Sequence, residues 1–302
     1  VIDLVRELSL ALRDRVLPHL GSHAGRAQGA AGAGGDPTFA IDAEAEAELE
    51  RFLAERAPEL AFYSEDRGLV EPSGGADHVL VVDPIDGTRP AMAGLESCCV
   101  SVAAAPLPDP TMADVSAACV VEIPSGAVFL AERGRLVESP PGELSANEDL
   151  SRLFWTYGFR GRPARALTEV LAELIDGSSV GGGTFELGSA AFDMTRVATG
   201  QLDAYVEPGP LLVDEVPGMR EEFERVGGGA VLNNSPYDLA AAALICEEAG
   251  VVVTDARGEQ LGDRPLLGSG AEFQMSVVAS AYAALHERVL EAVAEGVARL
   301  KG

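Results

Sequence analysis

Between Ala61 and Ala131 the chain carries five short apolar segments, Ala61–Tyr63, Val79–Val82, Cys98–Ala105, Ala117–Val121 and Ala127–Ala131, each bounded by Gly, Pro or Asp. Segments of that length and framing predict β-strands. After about Leu150 the rhythm changes to helices at Leu167–Ile175 and Gly188–Thr199, a strand at Asp203–Val206 and a helix beginning near Pro236. Strands at Val251–Thr254 and Met275–Ala279 and a helix over Ala281–Leu300 follow. Strands and helices mixed without a repeat period restrict the chain to an α+β or α/β layered architecture. Its 302 residues, 47% hydrophobic, suffice for one large core or two medium ones, and the change of rhythm divides the chain into halves 1–150 and 151–302.

Val5, Leu8, Leu12, Val16 and Leu20 recur at helical spacing, which predicts an opening amphipathic helix. A Gly- and Ala-rich loop, Gly21–Gly35, separates it from a second helix over Asp42–Arg56, with Asp42 as N-cap and Leu49, Phe52 and Leu53 buried. Glu44, Glu46, Glu48 and Glu50 on that helix read as a solvated face. Pro208–Ser235, with Pro208, Pro210, Pro217 and Gly227–Gly229 around the charged run Arg220–Arg225, reads as a long inserted loop and a candidate lid.

Forty-eight Asp and Glu against 22 Lys and Arg leave a net charge of -26, which argues against nucleic acid and anionic membranes as partners. Bound divalent cations would still let a carboxylate-lined site accept a phosphorylated substrate. The charged opening segment lacks the apolar block of a secretory signal, and no apolar stretch reaches membrane-spanning length; a cytoplasmic protein is the expectation. Cys98, Cys99, Cys119 and Cys246 lack zinc-ligand spacing and read as buried thiols.

The densest chemistry lies where Val79–Val82 runs into Asp83-Pro84-Ile85-Asp86-Gly87-Thr88. A turn set by Pro84 can swing the Asp83 and Asp86 carboxylates and the Ile85 carbonyl to one side, an oxygen-only ligand set suited to Mg²⁺ or Mn²⁺. Gly87 lets the backbone pass close to a ligand, and a short helix reaching Gly94 would point free N–H groups at an anion. The segment reads as a metal site joined to a phosphate site.

This string resembles the signature of the inositol monophosphatase superfamily of Mg²⁺-dependent, lithium-sensitive phosphatases. Tyr63-Ser64-Glu65-Asp66, Gly188-Ser189-Ala190-Ala191 with Ala198–Ala204, and Ser235-Pro236-Tyr237-Asp238 through Glu248-Ala249-Gly250 agree with it in order, so the resemblance extends from about Asp36 to Ala279. It implies a five-layered αβαβα sandwich, with most metal ligands in the first half and Asp238 and the substrate side in the second. It assigns Glu65, Asp83 and the Ile85 carbonyl to one ion, and Asp83, Asp86 and Asp238 to a second, with two or three Mg²⁺ per site. Glu65 and the Thr88–Asp42 pair would orient and activate water, Gly87 and Thr88 would hold phosphate oxygens through backbone N–H groups, and the reaction would be hydrolysis of a phosphate monoester.

Glu207, with Gly188 and Ser189, falls where the inositol enzymes contact substrate. An ionised carboxylate accepts from hydroxyls and repels a second phosphate, which ranks myo-inositol 1-phosphate ahead of fructose 1,6-bisphosphate and of other sugar or nucleotide phosphates. Arg160, Arg162 and Arg165 are candidates for a second phosphate. The sequence departs from the family pattern at Ser64-Glu65-Asp66, where many members have Gly-Glu-Glu, and at Ala31–Gly35, which lacks the lysine that some members place there. The resemblance also implies a homodimer. A homologue that binds metal or phosphate without catalysis is the reading from another class.

Overall fold

The structure, a computed structural model, describes residues 1–22, 28–31 and 37–302. Helix α1 (Ile2–Val16) is followed by two short strands, β1 (Gln28–Ala31) and β2 (Pro37–Phe39), paired antiparallel. This pair replaces part of the loop expected over Gly21–Gly35; residues 32–36, which cover most of the segment noted for its missing lysine, lie outside the described residues. Helix α2 (Ala40–Arg56) starts two residues earlier than expected, with Phe39 as N-cap. Asp42 is therefore in the first turn, where its Oδ2 reaches back to accept the Phe39 N–H at 2.8 Å.

A seven-stranded sheet runs in the order β4-β3-β5-β6-β7-β8-β9, built from β3 (Ala61–Ser64), β4 (Gly68–Val70), β5 (His78–Asp86), β6 (Cys99–Pro106), β7 (Ala117–Glu122), β8 (Val128–Glu132) and β9 (Arg135–Glu138). Only the β3–β5 pairing is parallel. Along β5, Leu80 and Val82 pack with α1 and α2, through Leu8, Leu12, Leu49 and Leu53. Val79 and Val81 join the opposite core. A sheet covered on both faces needs apolar side chains at successive positions, which accounts for the continuous apolar runs.

Helix α3 (Thr88–Ala93) leaves the end of β5. Beyond β9 come β10 (Phe154–Tyr157), α4 (Ala164–Ser178), β11 (Gly183–Phe185), α5 (Ala190–Ala198) and β12 (Ala204–Glu207). Next are α6 (Gly209–Glu215), α7 (Met219–Val226), α8 (Pro236–Ala249), β13 (Val252–Thr254), β14 (Val277–Ser280) and α9 (Ala283–Lys301). The second sheet has the order β11-β10-β12-β14-β13. Helices α5 and α8 fill the space between the sheets: Met194, Leu239 and Leu244 share one core with Val120 of β7 and Tyr205 of β12. Residues Leu239–Cys246 of α8 are buried on every side, as expected of a central helix. On the outer face of the second sheet, Leu167 and Leu171 of α4 and Val289 and Val293 of α9 pack on Trp155, Val206 and Val278. The layers thus alternate α1/α2, sheet, α5/α8, sheet, α4/α9, the αβαβα order the resemblance implies.

Two further expectations give way to the packing. Pro208–Ser235 is not an open loop or lid, because α6 and α7 occupy most of it and seat Leu212 and Phe223, both 0% exposed, in the outer core. The charged run Arg220–Arg225 is the outer face of an amphipathic helix whose inward residue is Phe223. Glu46 is not on a solvated face; it is buried against β3, where the Ser64 hydroxyl donates to its Oε2 at 2.9 Å and burial pushes its carboxyl up to about 7.

Candidate active site

Strand β5 carries the aspartates further than a strand ending at Val82 would. It continues to Asp86, with Asp83 opposite Ser101 and Asp86 opposite Cys99 on β6, so three steps along β5 face two along β6. Residues three apart on a regular strand point to opposite faces. The one-residue bulge removes that mismatch and turns both carboxylates the same way. Asp83 Oδ1 accepts the Ile85 N–H at 3.0 Å, which holds the bulge closed.

Asp86 is seated on the first turn of α5, where its Oδ2 accepts the Ser189 hydroxyl at 2.7 Å and the Ala191 N–H at 2.6 Å. Ser189 is also the N-cap of that helix and accepts from the Phe192 N–H at 3.2 Å. Asp238 approaches from α8, just after Pro236, with Ser235 as N-cap. Its Oδ2 accepts the Ser235 N–H at 2.6 Å, so one carboxylate both caps the helix and joins the cluster.

One oxygen from each of Asp83, Asp86 and Asp238 lies within 4.8 Å of the others, a spacing a divalent ion could span. Burial pushes the Asp83 carboxyl well up, helped by the charges of Glu65, Asp86 and Asp238. Burial likewise raises Asp86 to about 6 and Asp238 to about 7, the latter aided by Asp86. Like charges gathered in a low-dielectric site are costly without a cation, and an all-oxygen donor set fits Mg²⁺ or Mn²⁺. Glu65, half-buried just past β3, stands beside the cluster rather than inside the three-oxygen set, near enough for its charge to act on Asp83.

Thr88 Oγ1 lies 3.1 Å from Asp42 Oδ1 and 3.1 Å from the Ile85 carbonyl, bringing those three residues together across 46 positions of sequence. Gly87, at φ +90°, has no room for a side chain: a Cβ would sit 2.6 Å from the Ser97 carbonyl and 3.0 Å from Ser189 Cβ. Asp66 is engaged by the Thr38 hydroxyl at 2.6 Å.

Beside the carboxylates is a chamber of about 60 Å³ lined by Asp86, Asp238, Arg160, Glu186, Gly188 and Asp193, among others. It adjoins a groove of about 950 Å³ through the shared residues Phe159, Arg160, Glu186 and Gly188. Arg160 opposes the charges of Asp86 and Asp238, whereas Arg165 is exposed on α4. Glu207 is 0% exposed: Arg162 donates to Oε2 and the Gly209 N–H to Oε1 at 2.7 Å. Arg162 is thereby committed to a buried ion pair.

Sequence reasoning passed over Glu186 and Asp193. Asp193 is buried on α5, accepts from Thr156 Oγ1 at 3.2 Å and leaves Oδ1 without a hydrogen bond among the described residues. An acidic residue inside the apolar stretch Ala190–Ala198 was the available signal.

The family model described as the inositol monophosphatase family matches residues 2–298. The chain is 29% identical over 272 residues to a fructose-1,6-bisphosphatase/inositol-1-monophosphatase of Methanothermobacter thermautotrophicus, covering 86% of this chain and 84% of that one. It is 33% identical over 255 residues to an inositol-1-monophosphatase of Mycobacterium leprae, covering 78% and 73%. The solved extragenic suppressor protein suhB of Bartonella henselae shares the fold with a TM-score of 0.71 at 20% identity, over 96% of this chain and 97% of that one. A bulged aspartate pair, a helix-capping third aspartate and a match along nearly the whole length agree in one conclusion: the chain belongs to the inositol monophosphatase family.

Proposed function

We propose that the chain hydrolyses phosphate monoesters of small polyols, with myo-inositol 1-phosphate as the first candidate and fructose 1,6-bisphosphate the second. The observation that carries this reading is the buried meeting of Asp83, Asp86 and Asp238. These carboxylates, with Glu65 and the Ile85 carbonyl, would hold Mg²⁺ or Mn²⁺. Divalent ions bound there would acidify water and draw charge from the phosphate.

The Thr88 hydroxyl has one proton and two nearby acceptors. Donated to Asp42, it leaves the Thr88 lone pairs to accept from an attacking water, while Asp42 Oδ2 stays fixed on the Phe39 N–H. Glu65 would orient the same water, the backbone N–H groups of Gly87 and Thr88 would take phosphate oxygens, and Gly188 and Ser189 would border the leaving group. The names of the Methanothermobacter and Mycobacterium relatives support the substrate class. A cytoplasmic homodimer is part of the proposal.

The test is phosphate release from both substrates with saturating Mg²⁺, with and without lithium, for wild type and Asp83→Asn. Release that disappears in Asp83→Asn is the expected result. No release, together with no Mg²⁺-dependent rise in melting temperature, would refute the hydrolase reading.

A further inference from the structure

Glu207 was expected to recognise the leaving group, yet it is closed to any ligand. Both its oxygens are taken, and Gly158 packs against it so closely that a side chain at that position would collide with the carboxylate. A different carboxylate stands at the junction of chamber and groove. Glu186, exposed, lines both cavities. Its Oε1 lies 3.8 Å from where a Gly188 side chain would project, so the carboxylate extends over that glycine.

Its backbone is held on both sides, between the end of β11 and the cap of α5. Arg160 lines the same two cavities. Phe159 and Leu187 add apolar surface in the groove.

We propose that Glu186, in place of Glu207, is the specificity-determining carboxylate of this site, selecting a leaving group that carries adjacent hydroxyls. Each hydroxyl can donate, so a vicinal pair can reach both oxygens of the Glu186 carboxylate, while its C–H face rests on Phe159 and Leu187. A leaving group without hydroxyls offers the Glu186 carboxylate no donor. The assignment rests on the phosphatase reading above.

The experiment compares wild type, Glu186→Gln and Glu186→Ala on myo-inositol 1-phosphate and on phenyl phosphate, with Mg²⁺. In Glu186→Ala the ratio of kcat/KM for the inositol ester over the phenyl ester is expected to fall about tenfold, the loss of one charge-assisted hydrogen bond. Glu186→Gln, which keeps an acceptor oxygen, is expected to fall less. An unchanged ratio in both variants would overturn the assignment.

A wild-type protein inactive on both esters would count against the hydrolase reading instead. The assignment would then be decided by calorimetric affinities of the two esters for the same three proteins. Loss of discrimination in Glu186→Ala supports it, and equal discrimination in all three overturns it.

Discussion

Replacing Arg162 with methionine separates a structural Glu207 from a substrate-binding one. The two side chains are 5% and 0% exposed, so the pair is dry, and methionine preserves much of the arginine stem's packing. Removing one partner of a buried pair leaves the other charge uncompensated, at a cost of about 3–5 kcal/mol. Burial already pushes the Glu207 carboxyl above its ordinary 4.5, with Arg162 and the Gly209 N–H pulling the other way.

Without Arg162 that upward push is less opposed, and Glu207 can escape the penalty only by taking a proton. A folded-state value raised above the unfolded one means stability that is present at low pH and lost as pH rises from about 4.5 through the folded value. Arg162→Met should therefore be far less stable at pH 8 than at pH 5 in urea unfolding followed by circular dichroism. The double variant with Glu207→Gln, which retains an acceptor for Gly209, should recover most of the loss at pH 8. The reasoning fails if Arg162→Met costs under about 1 kcal/mol at pH 8. It fails equally if Glu207→Gln folds as wild type while selectively raising KM for a polyol phosphate.

Further expectations concern Gly87 in the site, the helical insertion and a distant histidine. Gly87→Ala forces a side chain into the left-handed region and against the Ser97 carbonyl, so it should lose about 2 kcal/mol or more in thermal unfolding and more than tenfold in turnover; a variant as stable and active as wild type would contradict the close-approach argument. Phe223→Ala should cost about 3–5 kcal/mol in urea, since the side chain is fully enclosed; a cost under about 1 kcal/mol would return the segment to the status of a lid. Burial lowers His286 from 6.5 to about 4, with Thr254 Oγ1 at 2.8 Å and Ser280 Oγ at 3.2 Å on its ring nitrogens. A depressed histidine contributes stability above pH 6.5 that drains away as pH falls toward 4, about 3 kcal/mol in all. An NMR titration of His286 with its midpoint above pH 6 would rule this out.

Local signals suffice for the elements whose burial is uniform. Apolar runs such as Val79–Val82 and Ala117–Val121 announce strands wherever both faces are covered, and the spacing of Val5, Leu8, Leu12 and Val16 announces a helix with one buried stripe. The Pro and Gly residues of the α6–α7 segment read as loop formers in the sequence. Pro208 and Pro210 instead open α6, and Gly218, at φ +78°, caps α7. Edge strands β4, β9 and β11 carry no sequence signal, because three or four residues with little burial leave no pattern.

For the site the division follows the same physics. Sequence alone determined the donor types and their order: an oxygen-rich string at a strand's end, an aspartate behind a helix-opening proline, and a threonine after Gly87. Whether a carboxylate is available to a ligand depends on what packs against it from distant parts of the chain. Tertiary structure decided that Asp83, Asp86 and Asp238 converge through a bulge, that Arg162 seals Glu207 from 45 residues away, and that Glu186 lines both cavities. Charge and residue type are local properties, whereas desolvation and pairing belong to the folded neighbourhood.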